Sequence, residues 1–109
     1  MAEHLSPRVN SKRLNDFVGK TVRLPCKVLS FNDGNTLTVE ASDGGHVRVL
    51  LPNSPDIRDT FVEIIGSVSD SSSIKMMACI NMGDKLDLKL ANDVTEKTFD
   101  PRFKDMFFA

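Results

Sequence analysis

The amino-acid sequence predicts an all-β domain: a five-stranded Greek-key barrel with a short helix before the first strand and another helix after the last. Three observations carry this. Val22, Leu24, Cys26 and Val28 alternate with polar residues at the two-residue period of a half-buried strand, and the phase then flips so that Leu29 and Phe31 continue the pattern. Such a flip marks a bulge, which bends a strand and lets its two halves serve different parts of one core. Four further apolar runs follow, separated by Gly-, Asn-, Asp- and Ser-rich turns, and beyond Gly83 the apolar period lengthens to that of a helix.

In chain order, residues 1–7 read as a loose arm. Asn10 is a suitable helix cap, Val9 and Leu14 fit a hydrophobic staple around it, and Gly19 follows Phe17 and Val18. A short helix from Ser11 to Val18 is expected, with Leu14, Phe17 and Val18 on the face that plugs one end of the barrel. After the first strand, Thr21 to Phe31, the sequence Asn32-Asp33-Gly34-Asn35 makes a tight turn. Leu37, Val39 and Ala41 point inward from the second strand. Ser42-Asp43-Gly44-Gly45 turns again, and the third strand, His46 to Leu51, buries Val47, Val49 and Leu51 while His46 and Arg48 face out.

Pro52-Asn53-Ser54-Pro55-Asp56 interrupts regular structure, leaving a crossing too short for much more than one helical turn. Phe61 to Val68 is the fourth strand, kinked at Gly66, and Ser69 to Ser73 its turn. Ile74, Met76, Ala78, Ile80 and Met82 alternate inward along the fifth, the methionines as core filling. The expected core is Val22, Leu24, Val39, Val49, Ile64 and Ile80. Five short strands with one central crossing suggest a small barrel of the oligonucleotide/oligosaccharide-binding (OB) kind. Its expected extent is residues 8–83.

Residues 84–109 have another character. With about 100° per residue, Leu86, Leu90, Ala91, Val94 and Thr98 form one stripe, which Leu88, Thr95 and Phe99 extend. Lys89, Asn92, Asp93, Glu96 and Lys97 fill the remainder. The apolar and weakly polar side covers more than half the circumference, wider than a helix needs to rest on its own domain. Asp93 and Lys97 form a correctly oriented i,i+4 pair. Asp100-Pro101 ends this helix and can start another carrying Phe103, Met106 and Phe107.

The chain has 109 residues, enough for one domain with a modest core, and its 40% hydrophobic and 27% charged content is that of a globular protein. No apolar run approaches the roughly 20 residues of a membrane span and no signal peptide is evident, so the expected setting is intracellular. Cys26 and Cys79 lie in apolar strand patterns and read as buried free thiols. No catalytic constellation, P-loop, GxGxxG motif or metal-ligand spacing is present: His4 lies in the arm and His46 stands alone on a strand. The expectation is a protein that is not an enzyme and uses neither cofactor nor metal.

Net charge is −1, unevenly distributed. Residues 1–20 carry Arg8, Lys12, Arg13 and Lys20 against Glu3 and Asp16. Residues 21–83 carry Arg23, Lys27, Arg48, Arg58 and Lys75 against Asp33, Glu40, Asp43, Asp56, Asp59, Glu63 and Asp70, an excess of acid. The barrel therefore lacks the positive surplus that gathers a phosphate backbone. Its second and third strands should expose Thr36, Thr38, Glu40, His46, Arg48 and Leu50, with no aromatic platform for bases. Only Lys27, Arg48 and Lys75 offer phosphate contacts, so weak binding of single-stranded nucleic acid is expected from the isolated chain.

Pro7-Arg8-Val9-Asn10-Ser11 leading to Leu14 and Phe17-Val18, the strand Phe61-Val62-Glu63-Ile64-Ile65-Gly66-Ser67-Val68, and Leu86-Asp87-Leu88-Lys89-Leu90 running to Phe99-Asp100 together resemble the family of replication protein A small subunits. Replication protein A is the eukaryotic single-stranded DNA-binding heterotrimer. The resemblance spans nearly the whole chain and departs from the family in Thr95 and Thr98 on the helix face and in a phenylalanine-rich tail. It implies an OB barrel whose C-terminal helix joins one helix from each of two larger OB-fold subunits in a three-helix bundle. It further implies a nuclear structural subunit that supports DNA replication, repair and recombination and meets single-stranded DNA mainly through its partners. The interface would then comprise Leu86, Leu88, Leu90, Ala91, Val94, Thr98, Phe99, Phe103 and Phe107. A small barrel subunit of a telomere-capping complex resembles this family and is the alternative, as is a stand-alone nucleic-acid-binding barrel. Lys12-Arg13 is too short for a nuclear-localisation cluster, so import should depend on partners.

Overall fold

A computed structural model describes residues 6–32, 34–52 and 57–100. A 3-10 helix, Ser11–Phe17, precedes β1 (Thr21–Asn32), β2 (Thr36–Ala41), β3 (His46–Leu50), β4 (Phe61–Asp70) and β5 (Ser73–Asn81), and α1 (Leu88–Thr98) follows. The strands close into a barrel in the order β1-β2-β3-β5-β4. Every pairing is antiparallel except β3 with β5, whose parallel register, Arg48 opposite Ser73 and Leu50 opposite Lys75, closes the ring. This is the expected five-stranded OB barrel with its two helices.

β1 organises the closure. Thr21 to Lys27 pairs with β4 and Cys26 to Asn32 with β2, and the register slips at Leu29, where the change of phase predicts a bulge. Backbone bonds join Arg23 to Pro7 and Val9 on the side that β2 later takes. Pro25, lacking an N–H, stands in the gap between these two partners, where it costs no ladder bond. The second slip, between Ile65 and Gly66, places β5 so close that a β-carbon on Gly66 would collide with the backbone carbonyl oxygen of Lys75. Only glycine allows that approach.

The core is built from the inward positions of all five strands, Val22, Leu24, Cys26, Leu37, Val39, Ala41, Val47, Val49, Val62, Ile64, Val68, Ile74 and Met76, with Val9 and Leu14 closing one end. Several expectations are corrected. Past the bulge, Leu29 is 41% and Phe31 61% exposed, because β1 has left β4 after Lys27 and its end is covered by β2 alone. On β5 the register skips Met77, so the phase reverses: Cys79 packs against the core, half-buried, while Ala78, Ile80 and Met82 face out. The turn after β4 is only Ser71-Ser72, drawn tight by the Ser72 amide donating to Asp70 Oδ1 at 2.9 Å. Val18 is 49% exposed, lying past the 3-10 helix rather than on its packed face.

Candidate subunit interface

Helix α1 begins two residues after the expected Leu86, because Asp87 caps it, accepting from the Leu90 amide at 3.0 Å. It stops at Phe99, whose N–H turns back to the Glu96 and Lys97 carbonyls, just before Pro101.

Its seating on the barrel depends on how the 3-10 helix is capped. Asn10 occupies the cap position but its side chain caps nothing. Asp43, from the β2–β3 turn, serves instead: its carboxylate accepts from the Ser11 amide (3.3 Å), the Lys12 amide (3.2 Å) and Ser11 Oγ (2.9 Å). Burial works to raise the Asp43 pKa, and these hydrogen bonds outweigh it and hold it below the usual carboxylate value. Asn10 is thereby released toward α1. Fully buried, it donates through Nδ2 to Asn92 Oδ1 and to Glu96 Oε2, both at 2.7 Å.

Arg13 completes the attachment. Its guanidinium grips Glu96 as a fork, Nη2 to Oε1 at 2.6 Å and Nε to Oε2 at 3.1 Å, with Lys12 Nζ 3.6 Å from Oε1. The Arg13 hydrogen bond, opposed by partial burial and assisted by Asn10, pulls the Glu96 carboxyl down to about 2. The same bond raises Arg13. The guanidinium also lies 4.2 Å from the centre of the Phe99 ring, which meets Phe17 edge-on at 5.9 Å. Ser42 Oγ reaches Asn92 Oδ1 at 3.3 Å, and Thr95, 1% exposed, is buried beneath the helix. Asn92 and Glu96, which the sequence places on the remainder of the helix outside the apolar stripe, thus hold the helix to the barrel, and Phe99, expected at the subunit interface, packs on the chain's own barrel.

Because the flank of α1 that bears Asn92, Thr95 and Glu96 faces the barrel, Leu90 and Val94 face out, between the exposed Lys89, Asp93 and Lys97. Leu90 is 59% and Val94 46% exposed, with Leu86, Leu88, Ala91 and Thr98 half-buried beside them. Phe103 and Phe107 lie outside the described residues. Between α1, the outer face of β1 and β4, and Met82 just past β5 runs a groove of about 270 Å³, whose lining includes Pro25, Met82, Leu86, Leu90, Ala91 and Val94. Glu63 and Arg8 line it as well. Glu63 points out of the barrel yet is almost wholly buried, with Arg8 Nε 3.3 Å from Oε2 and Arg23 Nη1 3.6 Å from Oε1. Nothing in the alternation of β4 distinguishes this carboxylate from a solvated one; the clue was the pair of arginines, Arg8 and Arg23, upstream.

Lys27, Arg48 and Lys75 do not form a compact cationic site. Register places Lys27 beside Glu40, Arg48 beside Thr38 and Ser73, and Lys75 beside Leu50, one in each of three successive rows across the outer face. Arg48 is close enough to Asp70 to help hold that carboxylate's pKa down, after the Ser72 amide bond and against slight desolvation. Phe31, at the rim and opposite Leu37, is an exposed aromatic that the sequence reading placed inside. Among the described residues no cluster of His, Cys, Asp and Glu could hold a metal ion. Cys26 is sealed in the core, where burial pushes its thiol pKa well up, so it is inert as a nucleophile.

The family model for replication factor A protein 3 matches residues 1–106. Replication factor A protein 3 of Schizosaccharomyces pombe is 26% identical over 106 residues, 97% of this chain and 98% of that protein. Among solved structures, a chain of Ustilago maydis replication protein A bound to single-stranded DNA superposes with a TM-score of 0.86 at 34% identity, covering 95% of this chain and 96% of that one. A chain of the S. pombe Stn1–Ten1 complex gives 0.68 at 13% identity, covering 88% and 93%. The S. pombe telomere-capping protein Ten1 gives 0.67 at 12%, covering 86% and 97%. At such identities the telomeric proteins share the fold alone.

Proposed function

Since this chain belongs to the replication factor A protein 3 family, we propose that it is the structural small subunit of a replication protein A complex, assembling through α1 with two larger OB-fold subunits. In this reading it is a nuclear scaffold rather than an enzyme, serving DNA replication, repair and recombination, and the three chains meet in a three-helix bundle. The exposed apolar side of α1 carries the reading: Leu90 at 59% and Val94 at 46% stand out from a helix whose Asn92, Thr95 and Glu96 are tied to the barrel. A helix that packed only on its own barrel would turn those two residues inward. The interface is assigned to Leu86, Leu88, Leu90, Ala91, Val94 and Thr98, with Phe103 and Phe107 of the tail. Phe99 supports it from behind by packing on Phe17.

Single-stranded DNA then meets mainly the partners. The scattered Lys27, Arg48 and Lys75, with Glu40 and Asp70 beside them, favour weak contact by this chain. Coexpression with the two larger subunits tests the reading. A single complex of equal proportions on gel filtration is the expected result, and persistent elution of this chain alone would refute it.

A further inference from the structure

An eleven-residue helix is small for a permanent interface. Stable complexes engage about 20–30 residues on each side, and the flank of α1 bearing Asn92, Thr95 and Glu96 is already tied to the barrel. The apolar surface, however, does not end at α1. Met82 lines the same groove as Leu90 and Val94 and is 36% exposed, and Ile80 is 48% exposed. Register sets Ile80 directly opposite Glu63, the groove's buried carboxylate, and Glu63 opposite Pro25, so these side chains share the outer face of β1, β4 and β5. The slip at Met77 is what turns Ile80 outward. A strand that read as core thereby presents an apolar strip continuous with the helix.

We propose that the partner-binding surface is a saddle, formed by Leu90 and Val94 of α1 on one side and by Ile80 of β5 with Met82, just past that strand, on the other. Its occupant is the apolar ridge of a helix from one larger subunit, which sets a large apolar side chain into the groove of about 270 Å³ between them. This rests on the helix-bundle reading and adds the barrel to it. The argument for that occupant is continuity: the strip begins on the helix that the bundle uses. Glu63, held by Arg8 and Arg23, is withdrawn from solvent at the floor of the groove, and the charged groups left at its edge are Arg8 and Asp87.

Ile80→Thr combined with Met82→Gln keeps both side chains outward and leaves the core untouched. Titrated with the two larger subunits purified as a coexpressed pair, the double variant should bind roughly 100-fold more weakly than wild type, about tenfold for each residue. Its urea midpoint should match wild type. Benzoylphenylalanine placed at residue 80 should photo-cross-link to a helix of one larger subunit, whereas the same probe at Arg48 should not. Wild-type affinity with no cross-link from residue 80, while Leu90→Asp abolishes binding, would overturn the saddle and leave the bundle intact. Undiminished binding by Leu90→Asp would remove the bundle reading itself. If the double variant instead abolishes self-association of the isolated chain and leaves partner affinity unchanged, the strip binds a second copy and the proposed occupant is wrong.

Discussion

Glu96 ties α1 to the barrel, and its contribution follows from its titration. A carboxyl pKa lowered from 4.5 to about 2 corresponds to about 3 kcal/mol at 1.36 kcal/mol per unit. The side chain keeps 29% of its surface exposed, so solvent screening reduces this to about 1–2 kcal/mol. The group's pKa is depressed in the folded state, so the unfolded or detached helix binds the extra proton. The contribution is complete above about pH 4.5, falls as pH drops toward 2, and is gone below it. Glu96→Gln removes the charge but keeps the shape, and should raise the exchange rates of the α1 amides about 5- to 30-fold at neutral pH. Acidification should bring wild type to the variant's level. If hydrogen exchange of α1 in wild type and Glu96→Gln differs by the same factor at pH 6 and pH 2.5, the ion pair does not hold the helix.

Gly66→Ala forces a β-carbon against the Lys75 carbonyl and should cost about 2–3 kcal/mol or more in urea unfolding; an unchanged midpoint would contradict the close approach of β4 and β5. Thr95→Val replaces a buried hydroxyl that has no hydrogen-bond partner and should leave stability equal or raise it by about 1 kcal/mol, read from the same unfolding curve. The isolated chain should bind an oligonucleotide of about thirty nucleotides with a dissociation constant weaker than micromolar near 150 mM salt. Sub-micromolar binding in a fluorescence anisotropy titration would contradict the scattered placement of Lys27, Arg48 and Lys75.

The first half of the barrel was legible because each strand keeps one phase between clear turns: Leu37, Val39 and Ala41, then Val47 and Val49, are buried where alternation sets them. The bulge at Leu29 was visible as a change of phase. Its consequence was not, because periodicity cannot say where a strand loses one of its two neighbours, as β1 loses β4 after Lys27. On β5 the slip at Met77 was hidden, since Met76-Met77-Ala78 contains no polar residue to mark a change of phase, and Ile80 and Met82 were assigned to the wrong side. Polar residues misled in the opposite direction. Asn10 read as a cap and Glu96 only as one of the polar residues outside the apolar stripe, because the contacts that explain them span more than 80 positions of sequence and depend on Asp43 doing the capping. The apolar stripe of α1 was legible; which flank the barrel would take was not.

The most direct measurement is the affinity of the larger-subunit pair for Val94→Asp and Leu90→Asp, each compared with wild type by gel filtration and sedimentation. An unpaired charge in the centre of the proposed bundle would cost several kcal/mol, roughly a thousandfold in association. Both side chains are exposed in the free chain, so the barrel should stay folded in each variant, while Ile64→Asp in the core should unfold it. Folded, solitary variant chains are the expected result. Val94→Asp and Leu90→Asp chains that still co-elute with both partners at wild-type ratios would contradict assembly through α1.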